Sequence, residues 1–96
     1  MEIIKTANEN ALNVVLSGRL DTTTAPQLEE ALALEGITEL NFDFAALDYI
    51  SSAGLRVLLA AQKTMNKQGA MKITNVNSDI MEVFEITGFS DILTIE

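Results

Sequence analysis

Hydrophobic residues occur in short runs separated by polar residues and glycines, and the spacing within each run predicts its structure. Two β-type runs, Ile3 to Thr6 and Leu12 to Ser17, flank the polar Asn8-Glu9-Asn10, which predicts an antiparallel pair with a short loop. Leu40 to Phe44 alternates most clearly and places three large hydrophobic side chains on one face, which predicts a strand inside the sheet. Two shorter strand candidates follow, at Met71 to Thr74 and Ile92 to Ile95.

Capping residues and helical spacing predict three helices. In the first, Thr24 is the predicted N-cap, Pro26 lies in the first turn, Gln27 closes a capping box and Gly36 ends the helix. The second runs from Ala53 to Lys67 before Gly69, and the third from Asp79 to Thr87 before Gly88. The predicted inward-facing residues are Leu28, Ala31, Leu32 and Leu34 in the first helix, Leu55, Leu58, Leu59 and Met65 in the second, and Ile80, Val83, Phe84 and Thr87 in the third.

The element order is therefore β-β-α-β-α-β-α-β. Each strand-helix-strand step implies a parallel pair with a right-handed crossover. A chain of 96 residues holds one hydrophobic core, so residues 1–96 are expected to form one small α/β domain, a mixed β-sheet flanked by helices.

Composition removes several classes of function. The chain has no cysteine and no histidine, which leaves no thiolate nucleophile, no cysteine-ligated metal and no serine-histidine-acid triad. No phosphate-binding loop, dinucleotide fingerprint or nucleophile elbow is present, so we expect no catalysis, no cofactor and no bound metal. The net charge of −8 disfavours nucleic acids and anionic membranes, and the absence of a signal-type or membrane-spanning run predicts a cytoplasmic protein.

Candidate functional residues lie between the Leu40 to Phe44 strand and the second helix, where α/β sheets commonly place their sites. One of the two serines, Ser51 or Ser52, is expected to be the N-cap of the helix, which leaves the other available. Gly54 permits either close approach by a partner or close packing of the helix on the sheet. Arg56 is either in a surface salt bridge with Asp48 or a contact for a partner carboxylate or a phosphate.

A second polar turn follows Gly18-Arg19-Leu20. Asp21 and Thr22 either serve the local backbone and the start of the first helix or form a rim beside Ser52. Asp43 is expected to be partly buried and hydrogen-bonded to a neighbouring turn. Leu55 is either a hydrophobic contact beside the serines or part of the core.

The segments Leu40 to Phe44, Leu47 to Leu55 and Gly18 to Asp21 together resemble the STAS domain family, which comprises sulfate-transporter and anti-sigma-factor-antagonist domains. The resemblance implies that Ser52 is the phosphorylated residue of a stand-alone anti-sigma factor antagonist. Asp21 and Asp43 match positions that are typically acidic in that family. Ser51 stands where well-known members have aspartate, and Ala53 where they have a hydroxyl residue.

The resemblance further implies two partners. The first is an anti-sigma factor that is also an ATP-dependent serine kinase, which the unphosphorylated antagonist binds so that a sigma factor is released. The second is a metal-dependent phosphatase of the PP2C type, which resets the cycle. The expected partner-binding residues are Asp21, Thr22, Ser51, Ser52, Gly54, Leu55 and Arg56.

Two other functions remain open at the level of sequence. The chain could be a constitutive STAS adaptor or subunit that binds another protein, such as a transporter ATPase, with no phosphorylation. It could also be a small enzyme or nucleotide-binding module that uses the helix N-terminus as an anion site. In the adaptor, Ser52→Ala would be nearly silent.

Overall fold

The computed structural model describes all 96 residues and contains four strands and three helices. The strands are β1 (Glu2–Asn8), β2 (Ala11–Leu20), β3 (Glu39–Ile50) and β4 (Ala70–Thr74). The helices are α1 (Ala25–Ala31), α2 (Ser52–Gln68) and α3 (Ser78–Thr87), and a 3₁₀ turn follows at Phe89–Asp91. None of these helices has both the length and the hydrophobicity needed to cross a bilayer.

The four strands form one sheet in the order β1-β2-β3-β4. β1 and β2 are antiparallel and joined by a tight turn in which Glu9 has a positive φ of 57°. β3 is parallel to both of its neighbours, with α1 and α2 as the connections. The predicted fold class and the interior position of the Leu40 to Phe44 strand are therefore confirmed.

The hydrophobic core lies between one face of the sheet and the helices. Alternate residues of β2 and β3 point into it, while Asn13 and Val15 between them are exposed on the other face. α2 contributes Leu55, Leu58 and Met65, and α3 contributes Ile80 and Phe84. At one end of this core, the N-terminal turn of α2 packs against the ends of β2 and β3.

β3 is longer than its sequence pattern indicates. The sequence predicts a strand that ends at Phe44, but the strand continues to Ile50. Two register shifts in the pairing of β2 with β3, between Val15 and Ser17 and between Gly18 and Arg19, allow this extension although strict alternation is lost.

Three further predictions about elements were wrong. α1 ends at Ala31 rather than near Gly36, and the Lys5 ammonium donates a 2.9 Å hydrogen bond to the Ala31 carbonyl. Thr87 is exposed rather than inward-facing, and its hydroxyl donates to the Val83 carbonyl at 2.7 Å. The last predicted strand is reduced to one parallel bridge between Ile95 and Ile73.

Candidate functional site

The two polar turns singled out by the sequence lie side by side in the structure. Leu20 and Ile50 are paired at the ends of β2 and β3, and the Ser51 amide donates a 2.9 Å hydrogen bond to the Leu20 carbonyl. Asp21 and Ser51 are the next residues of the two chain segments. Since α2 begins at Ser52, the Asp21 turn and the helix N-terminus occupy the same end of the sheet.

The two serines have different environments. Ser51 is the N-cap of α2: its backbone is extended and its Oγ accepts a 3.3 Å hydrogen bond from the Gly54 amide. Ser52 is the first helical residue, is exposed, and its hydroxyl makes no hydrogen bond within the chain. Of the two capping alternatives, the structure therefore selects Ser51 and leaves the Ser52 hydroxyl free.

Gly54 allows α2 to pack closely on the sheet. A Cβ atom at this position would lie 2.7 Å from Leu20 Cγ and 2.9 Å from Ile50 Cγ1, closer than carbon atoms approach in proteins. Gly54 and Leu55 are both buried, as is Ile50. These buried residues lie under the first turn of α2, which carries the exposed Ser52. Close packing of this turn on the sheet explains why a glycine stands at position 54.

Asp21 organises the neighbouring turn. Its Oδ1 accepts hydrogen bonds from the Thr23 hydroxyl at 2.7 Å, from the Thr23 amide at 3.0 Å and from the Thr24 amide at 3.1 Å. These bonds, led by the one from the Thr23 hydroxyl, lower the pKa of Asp21 to about 2. Thr22, which lies between Asp21 and Thr23 in the sequence, is exposed.

Thr24 precedes α1 but does not cap it with its side chain, so the predicted capping box does not form. Its Oγ1 instead accepts from the Asp21 amide at 2.8 Å and donates to the Arg19 carbonyl at 2.8 Å. The hydroxyl therefore closes the Asp21 turn back onto the end of β2.

The two arginines of the chain both lie at this end of the sheet. Arg19 stacks 4.1 Å above the ring of Tyr49, and its Nε is 3.7 Å from Asp21 Oδ2. The spacing of residues in the sequence does not predict this pair, because Arg19 faces Tyr49 only through the shifted register of β2 and β3. Arg56 is exposed and makes no ion pair, so of its two alternatives the salt bridge with Asp48 does not form.

Asp43 has a structural role, as predicted. Its Oδ1 accepts hydrogen bonds from the Asn75 side chain at 3.0 Å and the Ala45 amide at 2.9 Å, and the first of these is the main cause of its lowered pKa. No three acidic residues come close enough together to hold a metal ion. At this end of the molecule the exposed Ser52 hydroxyl is free of hydrogen bonds, as is the exposed Thr22 hydroxyl of the neighbouring turn.

The chain is similar to known proteins over nearly its whole length. The STAS domain family model matches residues 2–96. An anti-sigma-B factor antagonist from Bacillus subtilis is 34% identical over 91 residues, which cover 92% of this chain and 84% of the relative. One from Listeria monocytogenes is 31% identical over 97 residues, covering 97% and 85%.

A solved structure shares the fold at lower sequence identity. The Bacillus cell fate determinant SpoIIAA, in its phosphorylated form, superimposes with a TM-score of 0.78 at 16% identity. The match covers 99% of this chain and 91% of that one.

Proposed function

The chain belongs to the STAS domain family, and from this premise we propose that it is an anti-sigma factor antagonist whose binding is switched by phosphorylation of Ser52. In its unphosphorylated form it binds an anti-sigma factor that is also a serine kinase, and a sigma factor is released. Two relatives that are more than 30% identical over nearly the whole chain carry the name of anti-sigma-B factor antagonist, which supports this assignment.

The exposure of Ser52 carries the proposal. Because Ser51 caps α2, the Ser52 hydroxyl is not needed for a hydrogen bond within the fold, and it is accessible to a kinase. In the proposed reaction the hydroxyl oxygen bonds to the γ-phosphorus of ATP, ADP leaves, and the hydroxyl proton is released to solvent. The Ser52 hydroxyl makes no hydrogen bond to a carboxylate of its own chain, so the partner supplies the catalytic groups.

Phosphorylation is expected to alter the surface and leave the fold intact. A phosphate adds about −1.5 to −2 charge at neutral pH. The positive end of the α2 dipole tolerates an anion at this position. A partner that packs over Ser52 would have to desolvate the phosphate, a cost that can weaken binding by orders of magnitude. A PP2C-type phosphatase would restore the free hydroxyl.

The proposed binding surface consists of the polar groups around Ser52. Thr22 and Arg56 are exposed beside it, and Asp21 and Ser51 are half-buried and fix the shape of the two turns. Gly54 and Leu55 contribute by positioning α2, since their own side-chain positions are buried. The surface has both signs of charge, which suits a polar partner face.

The test is affinity capture from a lysate of the source cell with three baits: the wild type, Ser52→Ala and Ser52→Asp. We expect the first two to retain an anti-sigma factor with a kinase domain, identified by mass spectrometry, and Ser52→Asp to lose it. Circular dichroism of Ser52→Asp checks that the loss is not unfolding. If all three baits retain the same non-kinase protein, the chain is a constitutive adaptor and the switch is wrong.

A second measurement addresses the modified residue. The captured kinase and ATP should add one phosphate to the wild type and to Ser51→Ala, and none to Ser52→Ala. Ser51→Ala is the matched control, because it removes the neighbouring hydroxyl and leaves Ser52 in place. A phosphate found on Ser51 would contradict the assignment of Ser52.

A further inference from the structure

Arg56 is a cation without a partner in the chain. It lies in the second turn of α2, its side chain is exposed, and the two ion pairs of the protein involve other residues. A positive charge near the N-terminus of a helix is mildly unfavourable because it faces the positive end of the helix dipole. An anion close to Arg56 would remove this disadvantage.

Ser52 is placed to carry that anion. The two residues are four apart in a regular helix of 17 residues, so their side chains lie on the same face about 6 Å apart along the axis. An anion at the first position and a cation four residues later is the more favourable order for such pairs. The guanidinium can donate two parallel hydrogen bonds to phosphate oxygens.

Other charged groups of the chain do not form an ion pair with Arg56. Glu29 of α1 lines the same shallow depression as Arg56 but makes no ion pair with it, and neither does Asp48 of β3. Arg19, the other arginine at this end, is already engaged by Asp21 and by the Tyr49 ring. Arg56 is therefore the guanidinium available to a new anion at the start of α2.

We propose that Arg56 is the intramolecular counter-ion of the phosphate on Ser52, an inference that rests on the proposed phosphorylation of that residue. The pair holds the phosphate along the outer face of α2. Phosphorylation then withdraws two groups from the partner together: the Ser52 hydroxyl, which is modified, and the Arg56 guanidinium, which is occupied. Binding is lost both by added negative charge and by removal of an exposed positive one.

The test measures the second pKa of the phosphate directly. Phosphoserine is installed at position 52 during protein synthesis, and its ³¹P resonance is followed from pH 4 to pH 9. We expect Arg56→Gln to raise this pKa by about 0.5 pH unit, because the dianion loses its counter-ion, and Arg56→Lys to restore part of the difference. Raising the salt concentration should reduce the effect of Arg56→Gln.

Two control variants also remove one positive charge each. Arg19→Gln removes the neighbouring guanidinium, and Lys63→Gln removes an exposed cation two turns further along α2. Neither should change the phosphate pKa as Arg56→Gln does. Equal shifts in all three variants, or no shift in Arg56→Gln, would overturn the pairing.

The result does not depend on a cellular kinase, since the phosphoserine is introduced synthetically. A failure of the proposed function would appear separately, as the absence of phosphate on Ser52 in protein isolated from the source cell. The pairing and the switch can therefore fail independently.

Discussion

The adjacent residues Ser51 and Ser52 have the same side chain but different effects on stability. Ser51→Ala removes the hydrogen bond to the Gly54 amide, and we expect a loss of about 1 kcal/mol in the free energy of unfolding. Ser52→Ala removes a hydroxyl that makes no hydrogen bond, so its effect should stay within about 0.5 kcal/mol. Urea unfolding followed by circular dichroism measures both, and equal losses would contradict the assignment of the cap.

Asp21 makes stability depend on pH in the acid range. Its pKa in the folded protein is about 2, below the value of about 3.9 for a free aspartate, so the unfolded chain binds the proton more readily. The stability that Asp21 contributes is complete above about pH 5 and is lost as the pH falls through the unfolded pKa towards the folded value of about 2. The urea midpoints of the wild type and Asp21→Asn should therefore converge between pH 5 and pH 2.

A companion variant tests the cause of this pKa. The Thr23 hydroxyl donates the shortest of the hydrogen bonds to Asp21, so Thr23→Val should raise the pKa of Asp21 towards its ordinary value. Carbon-13 NMR titration of the Asp21 carboxyl measures this change. An unchanged titration midpoint would show that the Thr23 and Thr24 amides and the Thr24 hydroxyl hold the carboxylate without the Thr23 hydroxyl.

At the scale of elements, the contact between α2 and the sheet depends on Gly54. Alanine is the better helix former by about 1 kcal/mol, but its Cβ would clash with Leu20 and Ile50. Overpacking of this kind costs about 1 to 3 kcal/mol, so we expect Gly54→Ala to destabilise the protein by about 1 kcal/mol in urea unfolding.

Two comparisons separate the clash from helix propensity. Ala60→Gly, at an exposed position of the same helix, should cost about 1 kcal/mol through propensity alone. In a Leu20→Ala background, the cost of Gly54→Ala should shrink because the nearest side chain has been truncated. A stabilising Gly54→Ala in the wild type would refute the close contact.

Elements with strong local signals were predictable from the sequence. α2 and α3 were predicted to within one residue at each end, because hydrophobic spacing and the following Gly69 and Gly88 are local features. The part of β3 beyond Ala45 was not predictable from the sequence, since its pairing needs two register shifts that depend on β2. The predicted strand from Ile92 to Ile95 was also wrong, because Ile95 pairs with β4 at a single residue.

The candidate site was predictable in part. The Ser51 and Ser52 segment and the Asp21 turn were found, and the presence of two serines indicated that one was not needed as a cap. The side-chain partners were not found: Thr24 bonds to the Asp21 turn rather than to α1, and Arg19 stacks on Tyr49. Such contacts depend on how strands align in space, which residue spacing does not record.

At the scale of the whole molecule, the dominant electrostatic feature is the net charge of −8. The two ion pairs of the protein are partly exposed and contribute little to stability. Screening by salt therefore mainly relieves the repulsion among the carboxylates. We expect the urea midpoint at pH 7 to rise as sodium chloride increases from about 20 mM to about 500 mM.

Charge variants provide the control for this salt effect. Glu30→Lys and Glu82→Lys replace exposed acidic residues on α1 and α3 and each make the net charge two units less negative. The double variant should show a weaker dependence of the urea midpoint on salt. An unchanged or steeper dependence would mean that salt acts through something other than overall repulsion.

The sheet order β1-β2-β3-β4 has a consequence for biosynthesis, because each strand pairs with the strand made immediately before it. A chain emerging from the ribosome can add each strand to an edge that already exists, and no early strand must wait for a distant one. The Ser52 segment needs only β2, β3 and α2, which are complete at Gln68. The elements around Ser52 are therefore all made before β4 and α3, and they lie in one contiguous stretch of the sequence.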